Sequence, residues 1–157
     1  MKKQHLKENK HWNYIIIIIV VIIDMMSKLW IINHTKIHDT QKIFSMLNLF
    51  HTHNYGVAFS LLSTQGQSKR WLLSIISTLT ILVIARIIIK SKKKESNKIK
   101  AYSFIIAGAI GNLIDRTFYG FVIDFIDIHI KNWHFATFNI ADCSIFFGIL
   151  ILIRTKN

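Results

Sequence analysis

Four aspartates at or after position 115 are the residues of this chain best suited to chemistry. They are Asp115, Asp124, Asp127 and Asp142, half of the eight acidic residues. Asp124 and Asp142 follow apolar residues in FVID and FNIAD, where an isolated carboxylate is costly because burial disfavours its charged form. Brought together, these two could catalyse hydrolysis, with one ionised to activate water and the other protonated to donate to a carbonyl oxygen.

Each of these aspartates also has a purely structural interpretation. Asp142 could pair with Arg116, and Asp124 could be an ordinary surface acid. Asp127 would share a face with Asp124 in a helix, whereas in a strand it would point away from it. The spacing alone does not choose between Asp124 and Asp127.

Asp24 and Lys28 are spaced i, i+4, so that on a helix each would offset the burial of the other. We interpret them as a structural ion pair. A Ser/Lys hydrolase would need a serine against Lys28, but the adjacent Ser27 faces elsewhere, and the sequence has no G-x-S-x-G motif.

Four histidines are conceivable metal ligands, but no H-E-x-x-H motif or Cys/His cluster accompanies them. They are His51, His53, His129 and His134. We therefore predict that the protein uses neither a metal nor another cofactor.

Composition places the chain among membrane proteins. Its 157 residues are 52% hydrophobic, and its mean hydropathy is +0.37. A net charge of +12 could suggest nucleic acid, but no zinc spacing, RNP-type pattern or recognition helix accompanies it, so nucleic-acid binding is not expected. A single cysteine, Cys143, excludes an intrachain disulfide.

Apolar stretches predict one domain over residues 1–157 with four membrane spans, at about 12–32, 71–89, 99–114 and 135–153. The intervening pieces 1–11, 90–100 and 154–157 hold 12 Lys or Arg in 26 residues, against 6 in 60 for 31–70 and 115–134. Because cytoplasmic loops carry the positive excess, both termini are expected in the cytoplasm.

This orientation brings the polar residues to one outer rim. Asp24 and Asp142 would each lie on the order of 9 Å inside the outer boundary, at about 1.5 Å per residue. Asn112, Asp115 and Arg116 share one helix face at the same end. Small residues at 107, 108 and 111 would let a neighbouring helix pack closely there.

The outer segment from Thr35 to Ser68 contains enough spaced apolar residues to predict a short sheet or hairpin. It is the candidate for a cradle or lid over the rim. Trp71 and Trp133 suit interfacial anchoring.

Five ordered blocks carry a resemblance over nearly the whole chain. They are DMMSK (24–28), HNYGVAFS (53–60), GNLIDR (111–116), GFVIDFID (120–127) and WHFATFNIAD (133–142). In this order, between four predicted spans, they resemble lipoprotein signal peptidases, the bacterial signal peptidase II family.

The resemblance implies a membrane α-helical fold with four transmembrane helices and a small extracytoplasmic β-rich cradle or lid between helices 1 and 2. It implies an aspartic endopeptidase of the bacterial inner membrane, a monomer among membrane lipids with its active site facing outward. Its substrates would be diacylglyceryl-modified prolipoproteins, cut just before the lipidated cysteine. The resemblance assigns catalysis to Asp124 and Asp142, and assigns substrate binding or support to Asp24, Lys28, Asn54, Gly56, Asn112, Asp115, Arg116 and Asn139.

The main rival is a small proton-coupled transporter, which would also keep acids within the membrane. A carrier is expected to place them near the midplane and to show related halves. Here the acids cluster toward one face, and no inverted repeat is apparent.

Overall fold

The computed structural model describes residues 11–56, 67–91 and 96–155. The elements are α1 (His11–His34), β1 (Thr40–Phe44), β2 (Leu47–Asn54), α2 (Gln67–Lys90), α3 (Ser96–Phe118), β3 (Val122–Ile130), β4 (Trp133–His134) and α4 (Ile140–Arg154). Two pairs of strands interrupt the series of four helices, one pair between α1 and α2 and the other between α3 and α4.

Helix α3 lies between the other three helices and contacts each of them. Small residues make this possible: a Cβ added at Gly108 would collide with the Ala141 carbonyl, and one at Gly111 would lie 2.5 Å from the Asp24 carboxylate. The close packing predicted around these glycines is therefore present, and it brings α1 and α4 against one end of α3.

At the opposite end of the helices, Ile84 and Ile88 of α2 pack with two isoleucines of α3, Ile99 and Ile106.

The helix lengths differ from the apolar stretches read in the sequence. Helix α3 has 23 residues and is about 34 Å long. It is longer than the apolar stretch 99–114 from which the third span was predicted, because the helix continues into more polar residues at both ends. Among the described helices, His11–His34 and Arg70–Lys90 are long and apolar enough to cross a membrane by length and composition.

Helix α4 begins at Ile140, later than the apolar stretch that starts at Phe135. Asn139 caps the helix, and the preceding segment is extended, with Phe138 bridged to Ile126 of β3. Asp142 consequently lies in the first turn of α4 and not a turn and a half inside it.

The strands form one antiparallel order, β1-β2-β3-β4. The hairpin predicted between α1 and α2 is present as β1 and β2, and the sheet continues beyond it into β3 and β4. Half of the sheet comes from the segment between α3 and α4. Strand β3 is difficult to recognise in the sequence because residues 122–125 are all buried. A strand that is buried on both faces lacks the alternation of polar and apolar residues that marks a half-exposed strand. The expected continuation of the cradle through 57–66 lies outside the described residues.

The base of the sheet packs on the helices. Ile123 and Phe125 of β3 form a buried cluster with Ile31 of α1, and Ile140 of α4 packs against it. The strands that carry polar residues are thus fixed over the end of α3 at which Asn112 and Asp115 lie.

Candidate active site

Asp124 and Asp142 come from different elements and meet at Asn139. The Asn139 side chain, which is fully buried, donates from Nδ2 to Asp124 Oδ1 at 2.7 Å and accepts from the Asp142 amide at 2.9 Å. One amide side chain therefore contacts both of the acids that the sequence singled out.

Asp142 is positioned by the start of α4. Asn139 and Asp142 form a capping box, in which the Asn139 backbone amide donates to Asp142 Oδ2 at 3.3 Å. Asn112 of α3 donates to Asp142 Oδ1 at 2.8 Å. Both carboxylate oxygens are thus held by N–H donors at the positive end of a helix.

Asp124 lies in β3 and is 2% exposed. It accepts from Asn54 of β2 at 2.8 Å and from Asn139 at 2.7 Å. Burial, with a further contribution from the negative charge of Asp142, raises the pKa of Asp124 to about 7, although the hydrogen bonds from Asn54 and Asn139 act in the opposite direction. Asp124 can therefore keep a proton near neutral pH.

A buried ion triad lies beneath the pair of acids. Lys28 Nζ contacts Asp24 Oδ2 at 2.7 Å and Asp115 Oδ2 at 2.8 Å, and it donates to Asn112 Oδ1 at 3.3 Å. The side chains of Asp24, Lys28 and Asp115 are all almost completely buried.

The triad also holds the backbone next to both acids. Asp24 Oδ1 accepts the amide of Ala141, the residue before Asp142, at 2.8 Å. Asp115 Oδ2 accepts the amide of Ile123, the residue before Asp124, at 3.1 Å. One lysine between two aspartates therefore ties together the strand and the helix that carry the acids.

Gly56 and Arg116 complete the predicted set. Gly56 has φ +84°, a conformation that favours glycine, and its amide donates to Asn54 Oδ1 at 2.8 Å, which orients the Asn54 amide toward Asp124. Arg116 donates to the Asn112 carbonyl at 3.4 Å. Arg116 does not pair directly with Asp142, which was the alternative interpretation of Asp142. The donors to the Asp142 carboxylate are the Asn112 side chain and the Asn139 backbone amide.

Asp127 belongs to a separate cluster. It accepts from Asn48 at 2.9 Å and contacts His134 Nδ1 at 2.9 Å. Although burial raises the pKa of Asp127, the hydrogen bonds from His134 and Asn48 outweigh it and hold the pKa below its usual value. Among residues 11–56, 70–91 and 96–155, no group of three His, Cys, Asp or Glu side chains could hold a metal ion.

Sequence reasoning missed several supports of the site. The backbone amides of Ala141 and Ile123, which donate to Asp24 and Asp115, could not be identified from the sequence, because almost every residue type has such an amide. His53 stacks on Phe121 at 3.7 Å beside Asn54, and His51 reaches the end of α1 by contacting Thr35. The sequence analysis did consider His51 and His53, but only as possible metal ligands and not as residues that pack beside Asn54.

Comparison with known proteins agrees with this arrangement. A family model described as signal peptidase (SPase) II matches residues 16–156. The lipoprotein signal peptidase of Buchnera aphidicola subsp. Acyrthosiphon pisum (strain 5A) is 63% identical over 155 residues, covering 98% of this chain and 97% of the relative. That of Enterobacter sp. (strain 638) is 39% identical over 153 residues, covering 98% and 92%.

Two solved structures described as bacterial membrane enzymes have the same fold. One matches with a TM-score of 0.84 at 33% identity and covers 92% of both chains. The other matches with a TM-score of 0.81 at 32% identity and covers 92% of this chain and 87% of its own. The resemblance carried by the five sequence blocks is thus confirmed, and the chain belongs to the signal peptidase II family of bacterial membrane peptidases.

Proposed function

We propose that this protein is an aspartic endopeptidase that cleaves the signal peptide from diacylglyceryl-modified prolipoproteins immediately before the lipidated cysteine. The observation that carries the proposal is the pairing of Asp124 and Asp142 through Asn139 in a member of this peptidase family. The relatives' name, lipoprotein signal peptidase, supports the substrate class.

In the proposed mechanism, Asp142 is ionised and Asp124 is protonated. Asp142 takes a proton from water as its oxygen attacks the scissile carbonyl, and Asp124 gives its proton to the carbonyl oxygen. When the tetrahedral intermediate collapses, Asp142 passes its proton to the leaving nitrogen, and Asp124 recovers one from the hydroxyl. The carboxylic acid and amine are released, and the pair returns to its starting state.

The remaining site residues would hold this pair. Asn139 and Asn54 orient Asp124, and Asn112 orients Asp142. The ion triad of Asp24, Lys28 and Asp115 fixes the backbone on which the acids sit. All of these groups come from a single chain, which supports a monomer as the active form.

A direct test is a cleavage assay with a synthetic prolipoprotein peptide whose cysteine carries a diacylglyceryl group. We expect mass spectrometry to find a single cut immediately before the lipidated cysteine. The same peptide without the lipid is the control and should remain uncut. Equal cleavage of both peptides, or a different cut position, would contradict the proposed specificity.

The same assay should show that activity falls as pH rises through about 7, the pKa of Asp124. The raised pKa keeps Asp124 protonated at pH values at which an ordinary aspartate is ionised, and above it the pair has no proton to donate. Activity should also fall in acid, where the pair no longer contains an ionised carboxylate. Activity that kept rising well above pH 7 would argue against Asp124 as the proton donor.

We further propose four membrane spans in the bacterial inner membrane, at about 12–32, 71–89, 99–114 and 135–153, with both termini in the cytoplasm. The excess of lysine and arginine in 1–11, 90–100 and 154–157 supports this orientation. The sheet and the paired acids would then face the extracytoplasmic side.

Cysteine labelling tests this topology. In a Cys143→Ser background, Asn97→Cys, at an exposed position in the first turn of α3, should react with a membrane-impermeant maleimide only when the cytoplasmic side is open. Lys42→Cys, on exposed β1, should react from the outside of intact spheroplasts. The reverse labelling pattern would exclude the proposed orientation.

A further inference from the structure

A cavity of about 220 Å³ lies between α1 and α3, at the end of the helices that carries the ion triad. Its walls are apolar. Met25, Leu29 and Ile32 line it from α1, where spacings of four and three residues put them on one helix face, and Ile114 and Phe118 line it from α3. We call this space the α1–α3 cavity.

The floor of the α1–α3 cavity belongs to the support of the paired acids. Lys28, Asp115 and Ile123 also line it, and each is at most 3% exposed. Asp115 contacts Lys28 Nζ at 2.8 Å and accepts the Ile123 amide at 3.1 Å. A molecule in the cavity would therefore lie against the ion triad and against the residue that precedes Asp124.

The α1–α3 cavity is on a different side of α3 from the acids. Asn112, which donates to Asp142, marks the side that meets them. Ile114 and Phe118 are one turn apart, and Ile114 is about 200° further round the helix than Asn112. A molecule in the cavity would leave the space beside the two acids free.

The mouth of the cavity opens toward the sides of the helices. Leu29 is 45% exposed and Phe118 is 77% exposed. Within the span proposed for residues 12–32, such side chains would face acyl chains and not water. Tyr119, which follows the end of α3, is half-exposed and lines the outer end of the cavity, where a tyrosine suits the level of the headgroups.

The chemistry of the α1–α3 cavity suits a hydrocarbon chain better than water or an anion. Cavities of about 150 Å³ that are lined by Leu, Ile and Phe stay dry and bind benzene. The charged groups at the floor already contact each other, and the triad has two carboxylates to one ammonium. An anionic headgroup would therefore gain no free cation by entering, whereas an acyl chain needs none.

We propose that one acyl chain of an outer-leaflet phospholipid occupies the α1–α3 cavity, with its headgroup beside Tyr119, as a bound part of the fold. This inference rests on the membrane placement proposed above and goes beyond the peptidase reaction. The chain keeps water away from Lys28 and Asp115, and the attraction between them is stronger where the dielectric constant is low. The bound lipid thereby stabilises the start of β3 and, through it, Asp124.

Photocrosslinking locates the occupant in the original protein. The protein is placed in nanodiscs of phosphatidylcholine with phosphatidylglycerol that carries a diazirine midway along one acyl chain. We expect adducts at Leu29 and Phe118 and few at Leu72, an α2 leucine near the same end of the helices with a similar exposure of 42%. Equal labelling of Leu72 and Leu29 would show ordinary contact with surrounding lipid and would overturn the proposal.

Two variants that fill the cavity from opposite walls test binding, measured as the phosphatidylglycerol that stays on the protein in native mass spectrometry. They are Leu29→Trp in α1 and Ile114→Phe in α3. The original protein should retain one phospholipid, and the filled variants about tenfold less, because overpacking an apolar site is costly. Leu72→Trp is the matched control and should retain lipid like the original protein.

Unchanged retention in a filled variant that is folded by circular dichroism would overturn the proposal. Retention of detergent or of free fatty acid in place of phosphatidylglycerol would also overturn it. If neither filled variant folds, the crosslinking pattern of the original protein decides the question. Neither measurement needs turnover, and both can be repeated with Asp124→Asn, so a failure of this inference is distinguishable from a failure of the proposed reaction.

Discussion

Replacing either Asp124 or Asp142 with asparagine is expected to reduce cleavage of a lipidated prolipoprotein by about 10³-fold or more, since each change removes a group that must exchange a proton. Asparagine has nearly the same shape as aspartate, and its oxygen can accept from Asn54, Asn112 or Asn139, so both variants should still fold. Cleavage rates for the purified variants, with their unfolding temperatures in detergent, check this expectation.

Asp127→Asn is the matched control for that experiment. Asp127 is in the same strand as Asp124 and is almost equally buried, but its partners are Asn48 and His134. We expect cleavage within a few-fold of the original protein. Near-normal cleavage by Asp124→Asn or Asp142→Asn would exclude the two-aspartate mechanism, and loss of cleavage in all three variants would point to a general effect of removing buried carboxylates.

The second large effect is expected at Lys28. Lys28→Met would leave Asp24 and Asp115 buried without their cation, and removing one member of a buried ion pair typically costs about 3–5 kcal/mol. Because those carboxylates hold the amides of Ala141 and Ile123, the two acids should also lose their alignment. We expect a large fall in both unfolding temperature and cleavage rate, measured on protein purified in the same detergent.

A charge-neutral triple variant separates the two contributions. Lys28→Met with Asp24→Asn and Asp115→Asn removes the uncompensated charge, while the asparagine oxygens can still accept the two backbone amides. Stability should recover in part relative to Lys28→Met alone. Lys42→Met, at an exposed position in β1, should have almost no effect on stability. An unfolding temperature of Lys28→Met equal to that of the original protein would show that the triad does not hold the site.

Local spacing in the sequence was enough to predict part of this site. Asp24 and Lys28 are one helical turn apart, and their ion pair is present as expected. The residues Asn112, Asp115 and Arg116 could likewise be placed at one end of a helix. These predictions succeeded because neighbours on a helix are fixed by the repeat of the helix itself.

The rest of the site depends on contacts between distant segments. Asn54 and Asp124 are 70 positions apart, and Ala141 and Asp24 are 117 apart. No local pattern encodes such contacts. Asp124 and Asp127 could be distinguished only by the resemblance or by the fold, because it is the pairing of β3 with β2 that gives Asp127 its partner Asn48.

The hydrogen bond between Ala141 and Asp24 also bears on biogenesis. The first helix leaves the ribosome early with two of the three members of the ion triad, Asp24 and Lys28, whereas the Ala141 amide that bonds to Asp24 is translated near the end. A nascent chain that ends before α4 carries Asp24 without Ala141 and Asp124 without Asn139. The proposed hydrolytic activity would therefore arise only when the last helix joins the bundle, so that partly synthesised chains are inert toward neighbouring membrane proteins.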